Sequence, residues 1–260
     1  MLAGLYLWST KGFSKAVEEN TVPQLLVADS FLVEEGQAIA LAQHLARFQA
    51  SCHLQAGRCV PEIPAFWAQM CRFIPTEGRW FPRAEMRLAA GHMQLAVRLR
   101  PAPAASPTVQ LVLSTEPDPR HHPQMKGPDL ATLEIWRQAA FVQGGNEATL
   151  RSPTGIVLEG LTTSLVWWED ETLCFPAADL QILPSITRYV VGTIAQELNT
   201  PTAHRYLTQE QMHCVPIWAL NALHGIRPVV QLVGPNQTMP QHPVLCLWQH
   251  YYKQQRRMIK

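Results

Sequence analysis

Residues 155–167 read Gly155-Ile156-Val157-Leu158-Glu159-Gly160-Leu161-Thr162-Thr163-Ser164-Leu165-Val166-Trp167. One carboxylate sits inside an otherwise apolar and hydroxyl-bearing run. Val157, Leu158 and Leu161 around Glu159 favour burial, and a buried carboxylate needs a partner. Upstream, strands over 148–150 and 156–158 flank Ser152-Pro153-Thr154-Gly155, a hairpin signal. Downstream, strands over 165–168 and 172–175 flank a second turn. The run therefore joins two short strands, with Glu159 at the end of the first as a carboxylate suited to burial.

Working outward, 185–198 reads as a helix, with Ile186, Val190, Val191, Ile194 and Leu198 at helical spacing. Thr208-x-x-Gln211 is a capping box, and 229–233 is a strand. A helix over 241–260 ends on Arg256 and Arg257, which suit a helix C-terminus. Before the run, a helix over 129–141 is stopped by Gly144-Gly145. Residues 109–114 form an apolar strand. Residues 115–124 hold three Pro and little apolar material, which marks a linker and domain boundary. Further back, 86–99 gives two strands around Gly91. Helices cover 37–52 and 61–74, the second opened by Pro61 and Pro64. The start, residues 1–8, is a first strand rather than a signal peptide, because it lacks a basic n-region and a cleavage pattern.

Composition bounds the function. The 260 residues suit one large domain or two small ones. With 21 Lys+Arg against 20 Asp+Glu, the net charge of +1 excludes binding of nucleic acid through a broad basic face. A hydrophobic share of 47% excludes wholesale disorder. No apolar run approaches the ~20 residues of a membrane helix, so no membrane partner is expected. The six Cys form no C-x-x-C and read as small hydrophobes in a reducing cytoplasm. His121-His122 is the one His pair and no H-E-x-x-H occurs, so no metal is expected.

Four blocks in order over about 100 residues carry a family resemblance. They are Met125-Lys126 before a helix; the 155–167 run; Leu183-Pro184-Ser185-Ile186-Thr187-Arg188; and Asn221-Ala222-Leu223-His224-Gly225-Ile226-Arg227-Pro228-Val229. A fainter match is His44-x-x-Arg47-Phe48. Together they resemble the class IV aminotransferases, the fold-type IV enzymes that use pyridoxal phosphate (PLP). The resemblance implies an α+β, two-domain α/β architecture: a small N-terminal sheet-plus-helices domain (1–118), a linker (119–125), and a larger pseudo-barrel-like C-terminal domain (126–260). It implies PLP between the domains, a homodimer, and a small amino-bearing carboxylate as substrate.

The same resemblance assigns roles. Lys126 is the Schiff-base lysine; its amine must be kept neutral by burial or a neighbouring positive charge. Glu159 faces the pyridine nitrogen and keeps it protonated. Ser185, Ile186 and Thr187 open a helix whose N-terminus suits a phosphate, and Arg47 adds charge-assisted bonds to that phosphate. Asn221 and Ala222 form a turn beside phosphate and substrate, with Leu223 on the substrate side. Arg120, beside His121 and His122, is a candidate ligand for a substrate carboxylate. Arg227 reads as a solvent-facing strand residue. The chain departs from the family pattern at Ser185, where Gly is usual. It departs again at Gly127-Pro128-Asp129, where an Asn is usual, and in 27–36, where an acidic, Gly-rich stretch is usual. Asn221-Ala222-Leu223 resembles the 4-amino-4-deoxychorismate lyase branch, which implies release of pyruvate and 4-aminobenzoate for folate biosynthesis. The alternatives are a branched-chain or D-amino-acid aminotransferase, and a catalytically inactive binding protein on the same fold.

Overall fold

The structure is a computed structural model that describes residues 3–16 and 23–260. The expected first strand is found from Gly4 onward; its first two residues lie outside the described residues. The chain divides into two compact units.

The first unit takes residues 1–104, 125–128 and 255–260. In chain order it has β1 Gly4–Ser9, β2 Gly12–Lys15, β3 Gln24–Ser30, β4 Val33–Glu34, β5 Gln37–Ile39, α1 Leu41–Ala56, α2 Ile63–Phe73, β6 Arg79–Trp80, β7 Arg83–Ala89 and β8 His92–Leu99. Five strands form an antiparallel sheet in the order β2-β1-β8-β7-β3. Alternate residues of this sheet, among them Val27, Met86, Leu95 and Val97, pack with Phe48 of α1 and Phe66, Trp67 and Met70 of α2 in one buried core. The period of two along the strands and of three to four along the helices meets in that layer.

The second unit takes residues 105–124 and 129–254. It continues with β9 Val109–Val112, α3 Leu130–Val142, β10 Glu147–Arg151, β11 Val157–Gly160, β12 Ser164–Glu169, β13 Thr172–Pro176, α4 Ile186–Glu197, β14 Thr202–Arg205, a 3-10 turn Gln211–Cys214, β15 Ile217–Asn221, β16 Gly225–Val233, β17 Gln237–Thr238 and α5 Leu245–Gln254. Its nine-stranded, curled half-barrel sheet runs β11-β10-β9-β16-β15-β12-β13-β14, with β17 on β16. The last strand, β18 Arg256–Met258, belongs to the first unit, where it pairs with β5. Among the described residues no helix is long and apolar enough to cross a membrane.

Three expectations change. The units do not divide at 118 and 126. β9 pairs in parallel with β10 and β16, so residues 105–124 belong to the second unit, while residues 125–128 return to the first. The helix expected from 37 begins at Leu41: residues 37–39 form β5, and Ala40 lies between them in the left-handed region at φ 53°. The helix expected over 241–260 stops at Gln254, and Arg256 and Arg257 lie in β18 rather than on a helix end. In both cases the strand partner is more than 200 residues away by sequence number. Local periodicity carries no signal for it. The capping box is present: Thr208 N–H donates to Gln211 Oε1 at 2.9 Å, and Gln211 N–H to Thr208 Oγ1 at 3.4 Å.

Candidate active site

The expected site residues fall into two groups, one in each unit. In the first unit, Lys126 is held by its backbone: Ala28 N–H of β3 donates to Lys126 O at 2.7 Å. The next residue makes this approach possible. Gly127 has φ 140°, and a Cβ there would lie 2.8 Å from Val27 Cα and 2.9 Å from Ala28 N. Only glycine fits so close to another backbone. Gly127, in the stretch that departs from the family pattern, is thus the residue that docks Lys126 on β3.

Asp29, one residue along β3, is fully buried. It receives His44 Nδ1 on Oδ1 at 2.6 Å and Arg47 Nε on Oδ2 at 2.8 Å. An ionised carboxylate only accepts, so His44 carries its proton on Nδ1. Burial alone would raise the Asp29 carboxyl, but Arg47 and His44 hold it well below the usual carboxylate range. His44 and Arg47 are three residues apart on α1 and so share one helix face. Sequence reading found Arg47 but missed Asp29. The signal was present in the three-residue spacing of two hydrogen-bond donors on one helix face, which suits a carboxylate; the distance of 15 and 18 residues hid which one.

In the second unit, Glu159 of β11 is buried. Arg120 Nη1 donates to its Oε1 at 2.7 Å, and Leu183 N–H to the same oxygen at 3.0 Å. Burial pushes the Glu159 carboxyl above its ordinary value, against the opposing pull of Arg120, Leu183 N–H and Arg188. Arg120 was expected to meet a substrate carboxylate. Instead, its Nε and Nη2 bind Asp118, with Nη2 at 2.7 Å from Oδ2, and its Nη1 binds Glu159. Burial works against the Arg120 charge, yet these two carboxylates raise its pKa further. The residue therefore orients Glu159.

Leu183 links Glu159 to the next block. Ser185 caps α4: Arg188 N–H donates to its Oγ at 3.2 Å. Ile186 and Thr187 then supply the first-turn N–H groups that the helix itself leaves without acceptors. Thr187 is buried. Asn221 ends β15 and holds its turn, since its Oδ1 accepts from Leu223 N–H at 3.2 Å and His224 N–H at 2.8 Å. Ala222 and Leu223 lie half-buried in that turn. Asp129 is buried too and clamps the backbone N–H groups of His121 and His122, at 3.1 and 2.8 Å. Arg227 is buried rather than solvent-facing.

A buried carboxylate anchored on one oxygen by a guanidinium, next to a capped helix N-terminus, suits a protonated ring nitrogen and a phosphate. Sequence comparison agrees. The profile of the amino-transferase class IV family matches residues 26–232. The chain belongs to the class IV aminotransferase family. It is accordingly a PLP-dependent enzyme, a transaminase or lyase.

Among solved structures, this class IV aminotransferase resembles a hypothetical aminotransferase from Mycobacterium tuberculosis in its PLP-bound form, at TM-score 0.81 and 17% identity over 97% of this chain and 98% of that one. It also resembles a branched-chain aminotransferase from Thermoproteus uzoniensis with norvaline, at 0.82 and 15% over 96% and 93%. A Legionella pneumophila protein provisionally named 4-amino-4-deoxychorismate lyase matches at 0.77 and 18% over 88% and 90%. At these identities the likeness is one of fold. No curated protein matches significantly.

Proposed function

We propose that the enzyme acts on a small amino-bearing carboxylate as a 4-amino-4-deoxychorismate lyase, releasing pyruvate and 4-aminobenzoate. The observation that carries the cofactor site is Glu159, buried and fixed through Oε1 by Arg120 and Leu183 N–H. When bound, PLP supplies an aldehyde that condenses with amines and a ring that accepts electrons. Lys126 would hold the aldehyde end and would serve as the base toward the carbon bearing the substrate amine. Glu159 keeps a proton on the ring nitrogen. Arg120, itself paired with Asp118, orients Glu159 and opposes the effect of burial on its carboxyl. In the second unit, Ile186 N–H and Thr187 would hold the phosphate; in the first, Asp29 with His44 fixes the direction of Arg47. Ser185 serves that helix end as its cap, and Asn221 shapes the turn of Ala222 and Leu223.

The lean toward the lyase rests on Asn221-Ala222-Leu223. Transamination of a branched-chain or D-amino acid is the second reading, favoured by the family profile itself. A homodimer and a reducing compartment belong to the proposal as well. Aminodeoxychorismate is supplied to the purified protein with PLP and pyruvate is measured. Pyruvate release supports the lyase; no pyruvate, with half-transamination by leucine or D-alanine, replaces it with the transaminase. A visible absorption band on adding PLP, lost in Lys126→Ala, tests the cofactor site; a protein without that band refutes it.

A further inference from the structure

Asp129 stands at the position of a helix cap, just before α3, and Asp is a residue type that caps well. Its side chain nevertheless makes no cap hydrogen bond to α3. The carboxylate is buried and turns back along the chain. Its Oδ1 accepts His121 N–H at 3.1 Å and its Oδ2 accepts His122 N–H at 2.8 Å. The His121 imidazole is exposed and lies 3.8 Å from Oδ1, too far for a hydrogen bond. The backbone, not a side-chain cation, is what this carboxylate holds.

The residue before this pair is Arg120. Its N–H donates to Asp118 Oδ1 at 3.0 Å. Three consecutive backbone N–H groups, of residues 120–122, thus end on two carboxylates. Asp118 is tied to the sheet in turn, since its N–H donates to Arg151 O of β10 at 2.9 Å. The Arg120 guanidinium leaves this clamped segment along a fixed path. Its Nε and Nη2 fork on Asp118, and its Nη1 reaches Glu159 Oε1 at 2.7 Å. A bond this short is lost if the backbone that carries the arginine swings away.

We infer that Asp129 is a positioning residue: it fixes the backbone of residues 120–122 so that Arg120 meets Glu159, and through Arg120 it sets how Glu159 presents its carboxylate to the PLP ring nitrogen. The inference rests on the cofactor reading of Glu159 given above. The arrangement calls for a carboxylate at 129. An ionised Asp accepts on both oxygens. An Asn keeps the shape but turns one acceptor into a donor, which sets an N–H group against another N–H group. As helix caps, Asn and Asp are about equal. Asp129→Asn therefore separates the two roles: it spares a cap and breaks the clamp.

The test reads amide hydrogen exchange without PLP and the visible band with it. In the PLP-free wild type the His121 and His122 amides are expected to exchange slowly. Asp129→Asn is expected to speed both about tenfold while the amides of α3 keep their protection. With PLP added, Asp129→Asn is expected to weaken cofactor binding about tenfold. It is also expected to move the pH midpoint of the visible band in the same direction as Glu159→Gln does. In the Glu159→Gln background it is expected to move that midpoint no further. A cap role leaves every readout at its wild-type value and overturns the inference. Fast exchange of the His121 and His122 amides in the wild type overturns it too, and needs no variant to fold. So does a midpoint shift that adds to that of Glu159→Gln. A wild type that shows no band refutes the cofactor reading and the inference with it. A wild-type band that Asp129→Asn leaves unmoved refutes the inference alone.

Discussion

Two buried carboxylates, one in each unit, are shifted in opposite directions. Asp29 has a donor on each oxygen, Arg47 on one and His44 on the other, and its carboxyl is held low. Glu159 has both of its donors on Oε1, and burial wins, so its carboxyl is held high. The two differ in completion rather than in depth. Asp29 is a finished network that fixes an arginine. Glu159 is a half-finished one, which a protonated ring nitrogen on its second oxygen would complete.

Breaking the finished network has the largest effect on stability. Asp29→Asn leaves Arg47 and His44 without their anion and is expected to cost about 3–5 kcal/mol, read by urea unfolding. Breaking the other is expected to act mainly on catalysis. Glu159→Gln should lower turnover by about 10²–10³-fold with a smaller loss of stability, because Asp118 still holds Arg120. Steady-state kinetics beside unfolding curves separates the two, and equal losses of stability would erase the contrast.

The pH dependence sharpens the comparison. Asp29 has a folded pKa below its unfolded value of about 4. Its contribution is present above that value and is lost as pH falls through the folded pKa. Glu159 has a folded pKa above its unfolded value of about 4. Its contribution is complete below that value and is lost as pH rises through the folded pKa. Across a series of unfolding curves, Asp29→Asn is expected to flatten the acid limb and Glu159→Gln the decline toward neutrality. Two smaller changes touch the backbone around each group. Gly127→Ala forces Lys126 away from β3 and is expected to cost about 1–3 kcal/mol with loss of PLP absorbance. Ser185→Ala removes the cap of α4 and should cost about 1 kcal/mol, seen as a small fall in unfolding temperature.

Most elements with a strong local period were legible. The strands on either side of Gly91, the hairpin after Gly155 and the helices α2, α3 and α4 fall close to where apolar spacing and turn residues put them. The structure places the motif residues Lys126 in the loop before α3, Glu159 in β11 and Ser185 at the N-cap of α4. What was not legible depends on partners far along the chain. Arg120, within the expected linker, read as a ligand for a substrate carboxylate, and only the fold brings it to Asp118 and Glu159. Asp29 lay in the stretch least like the family.

The sequence by itself determined the class of chemistry and the local elements, because spacing, capping and turn residues act within a few positions. The tertiary structure decided which charges meet. β18 closes on β5, Lys126 rests on β3, and Arg120 turns to Glu159. Each of these contacts gains its free energy from burial and pairing across long chain separations. A one-dimensional pattern holds no record of which partner will be there.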